Sequence, residues 1–173
     1  MKTLIFGCGR ARNIYYNPLY QPPPGRAVIP GSTSARAIAS GKIKKEKLCH
    51  HVGPDVVTVD IDAMKIPHFT ANVQDARALV ELEEELGRQS FDRIELENFP
   101  YTALVQGDGG ERFFHCCYFL LKFNGKLTIS TGPGVAMDGS HERIAEALRR
   151  AGFSVEHGGS HMGYRFKARI VFH

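Results

Sequence analysis

The chain has 173 residues, a formal net charge of +4, 43% hydrophobic residues and four cysteines. This length fits one domain with a substantial buried core, which excludes the small scaffolds that depend on disulfides or metals for stability. No apolar run approaches the roughly 20 residues that a membrane helix requires, so a membrane-spanning class is excluded and a cytoplasmic location is expected.

The periodicity of apolar residues predicts strands that alternate with helices. In chain order we expect a strand at about residues 2–6, a helix through about residue 48, strands at 56–59 and about 68–73, a helix at 76–88, a strand at 91–96, a helix at 110–123, a strand at 126–130, a helix at 139–151, and strands at 153–156 and 164–172. A turn is predicted at Asn124-Gly125 and a glycine-rich loop at residues 158–163. The alternation predicts a parallel, doubly wound α/β sheet, and the last two strands predict an antiparallel hairpin.

Positive charge is concentrated in one segment. Residues 10–47 contain eight basic residues and a single acidic residue, Glu46. Prolines between residues 18 and 30 prevent regular structure over much of this segment, which we interpret as a basic, proline-rich insertion at about residues 13–47. The charge suggests a polyanionic partner such as RNA, and the alternative is that the lysines form the solvated face of a helix.

A glycine turn follows the first predicted strand. Phe6 is the last strand residue, and Gly7-Cys8-Gly9 comes directly after it. A strand that runs into Gly-x-Gly is typical of Rossmann-type nucleotide sites, because the first glycine permits a tight turn and the second lets the backbone approach a ligand. Arg12 occupies the third glycine position of the dinucleotide motif, so the pattern departs from that fingerprint.

Polar residues follow the next strands at the edge where open α/β sheets bind ligands. Asp60 ends the second strand, where a carboxylate can accept hydrogen bonds from both hydroxyls of a ribose. Asp75 follows the third strand and is equally well placed as a helix N-cap. Asn98, Pro100 and Tyr101 follow the fourth strand, and they also fit an ordinary strand-to-helix turn.

These motifs resemble those of class I S-adenosylmethionine (SAM) methyltransferases. The Gly7-Cys8-Gly9 turn and the terminal strand pair carry the resemblance. It implies one Rossmann-like domain over residues 1–173, with a mostly parallel seven-stranded sheet in the order 3-2-1-4-5-7-6 and a C-terminal antiparallel hairpin. It also implies SAM as cofactor and no metal, with the cofactor held by Phe6, Gly7, Cys8, Gly9, Asp60, Ile61, Asn72, Val73 and Asp75.

The run from Asn98 to Tyr101 resembles the N-x-P-Y motif of methyltransferases that act on exocyclic or amide nitrogens. The resemblance implies that Asn98 orients the nitrogen, that Pro100 stiffens the turn and that Tyr101 stacks on a base. The predicted reaction is methyl transfer to a nitrogen of a nucleic-acid base or a similar amine. Two alternatives stay open: a methyltransferase with a small-molecule or protein substrate, and a non-catalytic nucleotide- or RNA-binding module.

Overall fold

The computed structural model describes residues 1–7, 55–61, 67–97, 99, 102–105, 107–131, 140–160 and 163–170. Its strands are β1 (Thr3–Phe6), β2 (Val56–Asp60), β3 (Phe69–Thr70), β4 (Phe91–Glu97), β5 (Leu121–Thr131), β6 (Phe153–Ser160) and β7 (Gly163–Ile170). Its helices are α1 (Ala76–Leu86), α2 (Thr102–Val105), α3 (Gly109–Leu120) and α4 (Ser140–Arg150). Among these helices, none has the length and apolar character that crossing a membrane requires.

The strands form one seven-stranded sheet in the order β3-β2-β1-β4-β5-β7-β6. The pairs among β1 to β5 are parallel, whereas β7 is antiparallel to both β5 and β6. Both the predicted strand order and the predicted C-terminal hairpin are therefore confirmed. The carboxyl ends of β1, β2 and β4 meet at one edge of the sheet, which is where the predicted site residues belong.

The core lies between one face of the sheet and the helices α1, α3 and α4. Alternate strand residues such as Leu4, Phe6, Ile94 and Leu96 point into it and are at most 1% exposed. The helices contribute apolar residues at helical spacing, including Leu79 and Leu82 of α1, Phe113, Phe114 and Leu120 of α3, and Ile144 and Leu148 of α4. We call this the helix-covered face of the sheet.

Helix α1 begins at a side-chain cap. The Oδ1 atom of Asp75 accepts a hydrogen bond from the backbone N–H of Arg77 at 2.9 Å. The helix ends at Gly87, whose φ of 76° lies in the left-handed region and whose N–H donates to the carbonyl of Glu83. The structural part of the Asp75 prediction is thus observed directly.

Two predicted boundaries are wrong. The helix predicted to reach residue 123 ends at Leu120, and β5 begins at the next residue, so Asn124-Gly125 lies inside a strand and is not a turn. The physical reason is pairing: Leu121 lies opposite Phe91 of β4, and both are fully buried. Similarly, Gly158 belongs to β6 and lies opposite Arg165 of β7, so the first part of the predicted glycine-rich loop is strand.

Other differences are smaller. The third strand is limited to Phe69–Thr70, and the short helix α2 was not predicted. The predicted helix through residue 48, the basic segment at residues 10–47 and the proposed insertion at about residues 13–47 lie outside the described residues.

Candidate functional site

A cleft opens at the carboxyl ends of β1 and β2. Its empty volume is about 660 Å³, including space that opens to solvent. The described residues that line it come from the ends of β1 and β2 and the residues directly after them, the segment after β3, the region after β4, and α2: Phe6, Gly7, Val59, Asp60, Ile61, Ala71, Asn72, Val73, Gln74, Phe99 and Ala103. Six of the nine predicted cofactor residues thus meet in one place, namely Phe6, Gly7, Asp60, Ile61, Asn72 and Val73.

Gly7 turns the chain at the end of β1. Its φ is 74°, a conformation that favours glycine because a Cβ atom would clash with the backbone there. Its N–H donates to the carbonyl of Val59 at 2.9 Å, which ties the turn to the end of β2. The prediction that this glycine serves a tight turn at the cleft agrees with the observed geometry.

Asp60 lies in the wall of the cleft, and the residue is only 5% exposed. Its carbonyl accepts a hydrogen bond from the N–H of Ala71 at 3.0 Å, so the backbone at this point is held by β3. The next residue, Ile61, is 66% exposed and also lines the cleft. A buried acid followed by an exposed apolar side chain presents a polar and an apolar contact to the same ligand.

The segment after β3 forms a tight turn in which neighbouring residues differ in role. The Oδ1 atom of Asn72 accepts a hydrogen bond from the N–H of Gln74 at 3.1 Å, and its carbonyl accepts one from the N–H of Asp75 at 3.0 Å. Asn72, Val73 and Gln74 line the cleft, whereas Asp75 caps α1 and is not among the lining residues. Asp75 therefore acts in this structure as a helix cap.

Aromatic rings connect the cleft to the core. The ring of Phe113 contacts that of Phe6 edge-on, with centroids 4.9 Å apart. The ring of Phe99 stacks on that of Phe113, with the ring centroids 5.3 Å apart and only 3° between the planes. Phe99 also lines the cleft, so one wall of the site rests on a fully packed aromatic cluster.

Several predicted site residues lie outside the described part of the chain. They are Cys8, Gly9, Asn98, Pro100 and Tyr101. The run from Asn98 to Tyr101 follows Glu97, the last residue of β4. Phe99, which belongs to this run, lines the cleft. The predictions for the five residues stay predictions.

Sequence reasoning missed some lining residues. Gln74 and Ala103 are not among the predicted ligands, and Phe99 is not among the predicted site residues although it lies between Asn98 and Pro100. The position of Gln74 directly after Asn72 and Val73 was an available signal, whereas nothing in the local pattern distinguished Ala103 from other residues of the region after β4. Sequence proximity to a strand end finds the neighbourhood of a site, and it does not tell which side chains face the ligand.

The two described cysteines have no place in the cleft. Cys116 and Cys117 are free thiols in α3, at most 1% exposed. Burial raises the pKa of both thiols well above the ordinary value, so neither forms a thiolate readily. Within the part of the chain that the structure describes, His, Cys, Asp and Glu residues form no group of three or more that could hold a metal ion.

Neither a protein-family model nor a curated protein matches this sequence. Solved structures match it through their fold. The antibiotic-resistance methyltransferase Kmr aligns with 98% of this chain and 87% of its own, at a TM-score of 0.51 and 17% identity. A SAM-dependent methyltransferase from Archaeoglobus fulgidus aligns with 96% of this chain and 85% of its own, at a TM-score of 0.52 and 15% identity.

A third similar structure is the sugar N-methyltransferase KedS8 from a Streptoalloteichus species. It aligns with 98% of this chain and 80% of its own, at a TM-score of 0.53 and 15% identity. At these identities the likeness shows the fold. The chain has the class I methyltransferase fold, with its cleft at the carboxyl ends of β1 and β2.

Proposed function

We propose that this chain is a SAM-dependent methyltransferase. The observation that carries the proposal is the convergence of three features in one cleft of this fold. These are the Gly7 turn at positive φ, the Asp60 carboxylate at the end of β2, and the exposed apolar side chain of Ile61 beside it. Ligands of open α/β sheets bind at this edge, where strand order reverses around β1 and β4.

The described residues fit the chemical parts of SAM. The Asp60 carboxylate can accept hydrogen bonds from the two ribose hydroxyls. Ile61 and Val73 offer apolar surface to an adenine ring, and the turn of Asn72 and Gln74 offers polar groups to the ring edge. The absence of a side chain on Gly7 keeps the turn open to the methionine part of the molecule.

SAM supplies a methyl group on a positively charged sulfur, from which a nucleophile can displace it directly. The protein's contribution is then to hold donor and acceptor in line and to exclude water. The stacked pair of Phe99 and Phe113 gives the cleft an apolar wall. A wall of this kind restricts the approach of the acceptor and limits the water that surrounds the reacting atoms.

The proposed acceptor is a nitrogen of a nucleic-acid base or a similar amine. Its support is the run from Asn98 to Tyr101, which follows Glu97 at the end of β4 and includes Phe99 of the cleft wall. An amide oxygen that accepts N–H bonds from the acceptor favours the geometry in which the nitrogen lone pair can attack. A small-molecule or protein acceptor is the second candidate, and it predicts that Asn98 is dispensable.

The test of the cofactor is calorimetric titration of the wild-type chain with S-adenosylhomocysteine, repeated with NAD. We expect binding of S-adenosylhomocysteine and no detectable heat with NAD, because the glycine turn lacks the third glycine of the dinucleotide motif. Binding of NAD with no response to S-adenosylhomocysteine would refute the proposal. Binding of S-adenosylhomocysteine without methyl transfer to any acceptor would favour the non-catalytic alternative.

The test of the acceptor is Asn98→Ala, assayed first with rRNA fragments, then with free nucleobases and amide-bearing peptides. We expect methyl transfer to slow at least ~100-fold, the scale seen when one preorganised polar contact to the reacting group is lost. The affinity for S-adenosylhomocysteine should stay within about twofold. An unchanged turnover in a folded variant would reduce the run to a structural turn.

A further inference from the structure

Strand β7 carries a row of cations on the side of the sheet opposite the helices. Arg165, Lys167 and Arg169 are exposed, and they alternate with Phe166 and Ala168, which are at most 1% exposed and belong to the core. Because successive side chains of a strand point to opposite faces, the three cations share one face. Residues two apart on a strand are roughly 6.7 Å apart along the chain.

The neighbouring strand extends this row across the sheet. Lys126 of β5 is exposed and lies directly opposite Arg169 of β7. On the other side of β5, Arg93 of β4 also lies opposite Lys126. Arg93 forms an ion pair with Glu95, with 2.6 Å between Nε and Oε1. In the described part of the chain, no carboxylate forms an ion pair with Lys126 or Arg169. Like charges directly opposite each other destabilise a sheet, so the fold tolerates an unfavourable row that an anion would relieve.

The face as a whole has an excess of positive charge. The register places five cations on it, against the acidic residues Glu95, Glu97 and Glu156. We use the name basic face for the four exposed cations outside the Arg93–Glu95 pair, which are Lys126, Arg165, Lys167 and Arg169.

We propose that the basic face binds the phosphate backbone of a single-stranded nucleic acid. Cations repeated along an extended strand suit the repeated charges of an extended polyanion, and hydroxyl groups of Thr128, Ser130 and Ser154 share the face as further phosphate ligands. Between Arg93 and Glu97 of β4, Lys126 and Ser130 of β5, and their paired residues in β6 and β7, this face carries no aromatic or large apolar residue; the exposed Phe123 of β5 lies outside these pairs. Base stacking and membrane insertion are therefore disfavoured, and the binding is independent of sequence.

The basic face leads toward the cleft. Arg165 lies opposite Ser130, and Ser130 lies opposite Glu97 at the end of β4. Phe99 of the cleft wall is only two residues further along the chain. A single-stranded nucleic acid bound on the basic face would thus approach the edge of the sheet that carries the cleft. The inference goes beyond the proposed function, because the binding requires neither SAM nor methyl transfer.

The experiment measures binding of a fluorescein-labelled single-stranded oligouridylate by anisotropy, over a range of salt concentrations and without cofactor. The test variant is Lys167→Gln/Arg169→Gln. The matched control is Arg112→Gln/Arg149→Gln, which makes the same change in net charge at exposed positions of α3 and α4, on the other side of the sheet. A second test variant, Lys126→Gln/Arg165→Gln, guards against a folding defect in the first, and circular dichroism checks all variants.

For single strands each neutralised phosphate contributes about −0.7 to the slope of log affinity against log salt. We expect either test variant to reduce the magnitude of the wild-type slope by about 1.4 and to lower the association constant at least roughly tenfold at low salt. The control should keep the wild-type slope, whatever residues 10–47 contribute.

Equal losses in the test and control variants would refute the proposal, because they would show an effect of net charge alone. The proposal would also be refuted if the wild-type chain did not bind the oligouridylate at low salt, or if folded test variants bound it as tightly as the wild type. Binding to phosphatidylserine vesicles in preference to the oligonucleotide would assign the face to a membrane surface instead. Failure here leaves the calorimetric test with S-adenosylhomocysteine unaffected, so the two proposals fail separately.

Discussion

The two ends of the parallel strands use carboxylates in different ways. At the amino end, Asp92 accepts hydrogen bonds from the backbone N–H of Lys2 at 2.7 Å and from Nζ of Lys122 at 2.9 Å. At the carboxyl end, Asp60 is nearly buried in the wall of a cleft, beside the exposed side chain of Ile61. The first carboxylate ties neighbouring chain segments together, whereas the second faces a space that a ligand can fill.

This difference follows from the geometry of a doubly wound sheet. Strand order reverses between β1 and β4, because the strand that follows β1 in the chain lies on one side of this pair and the strand that follows β4 lies on the other; open α/β sheets have a crevice at the carboxyl edge of such a point. At the amino ends, ion pairs such as Lys122–Asp92 and Met1–Asp55 join neighbouring segments of the chain. Stability and ligand binding should therefore respond separately to substitutions at the two ends.

The largest expected effect comes from a matched pair of core phenylalanines. Phe91, at the amino end, and Phe113, under the cleft, are at most 1% exposed, so either change to Ala should lower the free energy of unfolding by about 3–5 kcal/mol. Of the two, only Phe113 contacts rings that line the cleft, those of Phe6 and Phe99, so only its loss should also weaken binding of S-adenosylhomocysteine. Urea unfolding measures the stability and calorimetry the affinity. Where the Ala variants are too unstable for calorimetry, the affinities of the corresponding Leu variants are compared instead. Equal affinities in the two folded variants would contradict the role given to the aromatic wall.

The next effect concerns the two carboxylates themselves. Asp60→Asn should weaken binding of S-adenosylhomocysteine by about 1.5–3 kcal/mol, the range for hydrogen bonds to a charged group. Asp92→Asn, at the other end of the sheet, should leave the affinity within about twofold. Calorimetry on both variants tests the contrast. An unaltered affinity in folded Asp60→Asn would show that the ribose is held by other residues.

A smaller effect separates the two functions proposed for the segment after β3. Asp75→Ala removes the cap of α1 and should lower the free energy of unfolding by about 1 kcal/mol. Because Asp75 is not a lining residue of the cleft, the affinity for S-adenosylhomocysteine should not change. Chemical unfolding and titration of the same variant give both readouts. A loss of affinity without a loss of stability would reverse the assignment and make Asp75 a ligand.

The smallest effect is a pH dependence at the amino end. The hydrogen bond from Lys122, followed by that from the backbone of Lys2, lowers the pKa of Asp92 below its ordinary value of 3.8. A lowered folded-state pKa stabilises the fold above the ordinary value, and this contribution disappears as the pH falls through the folded value. The stability difference between wild type and Asp92→Asn should therefore be constant near neutral pH and vanish in acid. Urea unfolding measured at several pH values checks this, and a difference that grows toward acid pH would contradict it.

Much of the architecture could be predicted from local patterns. Apolar alternation located most of the strands, and the two consecutive strands at the C-terminus required a hairpin. The residues at strand ends, Gly7 and Asp60, pointed to the edge where the cleft lies. These predictions succeeded because the apolar period and the glycine turn are properties of neighbouring residues.

The errors arose where distant residues decide. Asn124-Gly125 has the composition of a turn, but pairing of Leu121 with Phe91 starts β5 before it. Likewise the local pattern fits Asp75 both as a ligand and as a helix cap, and the folded chain uses its carboxylate as the cap of α1. Neither outcome is encoded in the local pattern, because each depends on which groups are brought close by the fold.

The sequence by itself determined the alternating α/β class and the C-terminal hairpin, because these follow from apolar periodicity and from the limited ways of connecting successive strands. The resemblance to class I methyltransferases implied the strand order, and Gly7 and Asp60 pointed to the edge of the sheet where the cleft lies. Only the tertiary structure decided that Phe99 stacks on Phe113 and that the cations of β5 and β7 share one exposed face. Both depend on the register between strands and on the packing of α3, which join residues far apart in the chain.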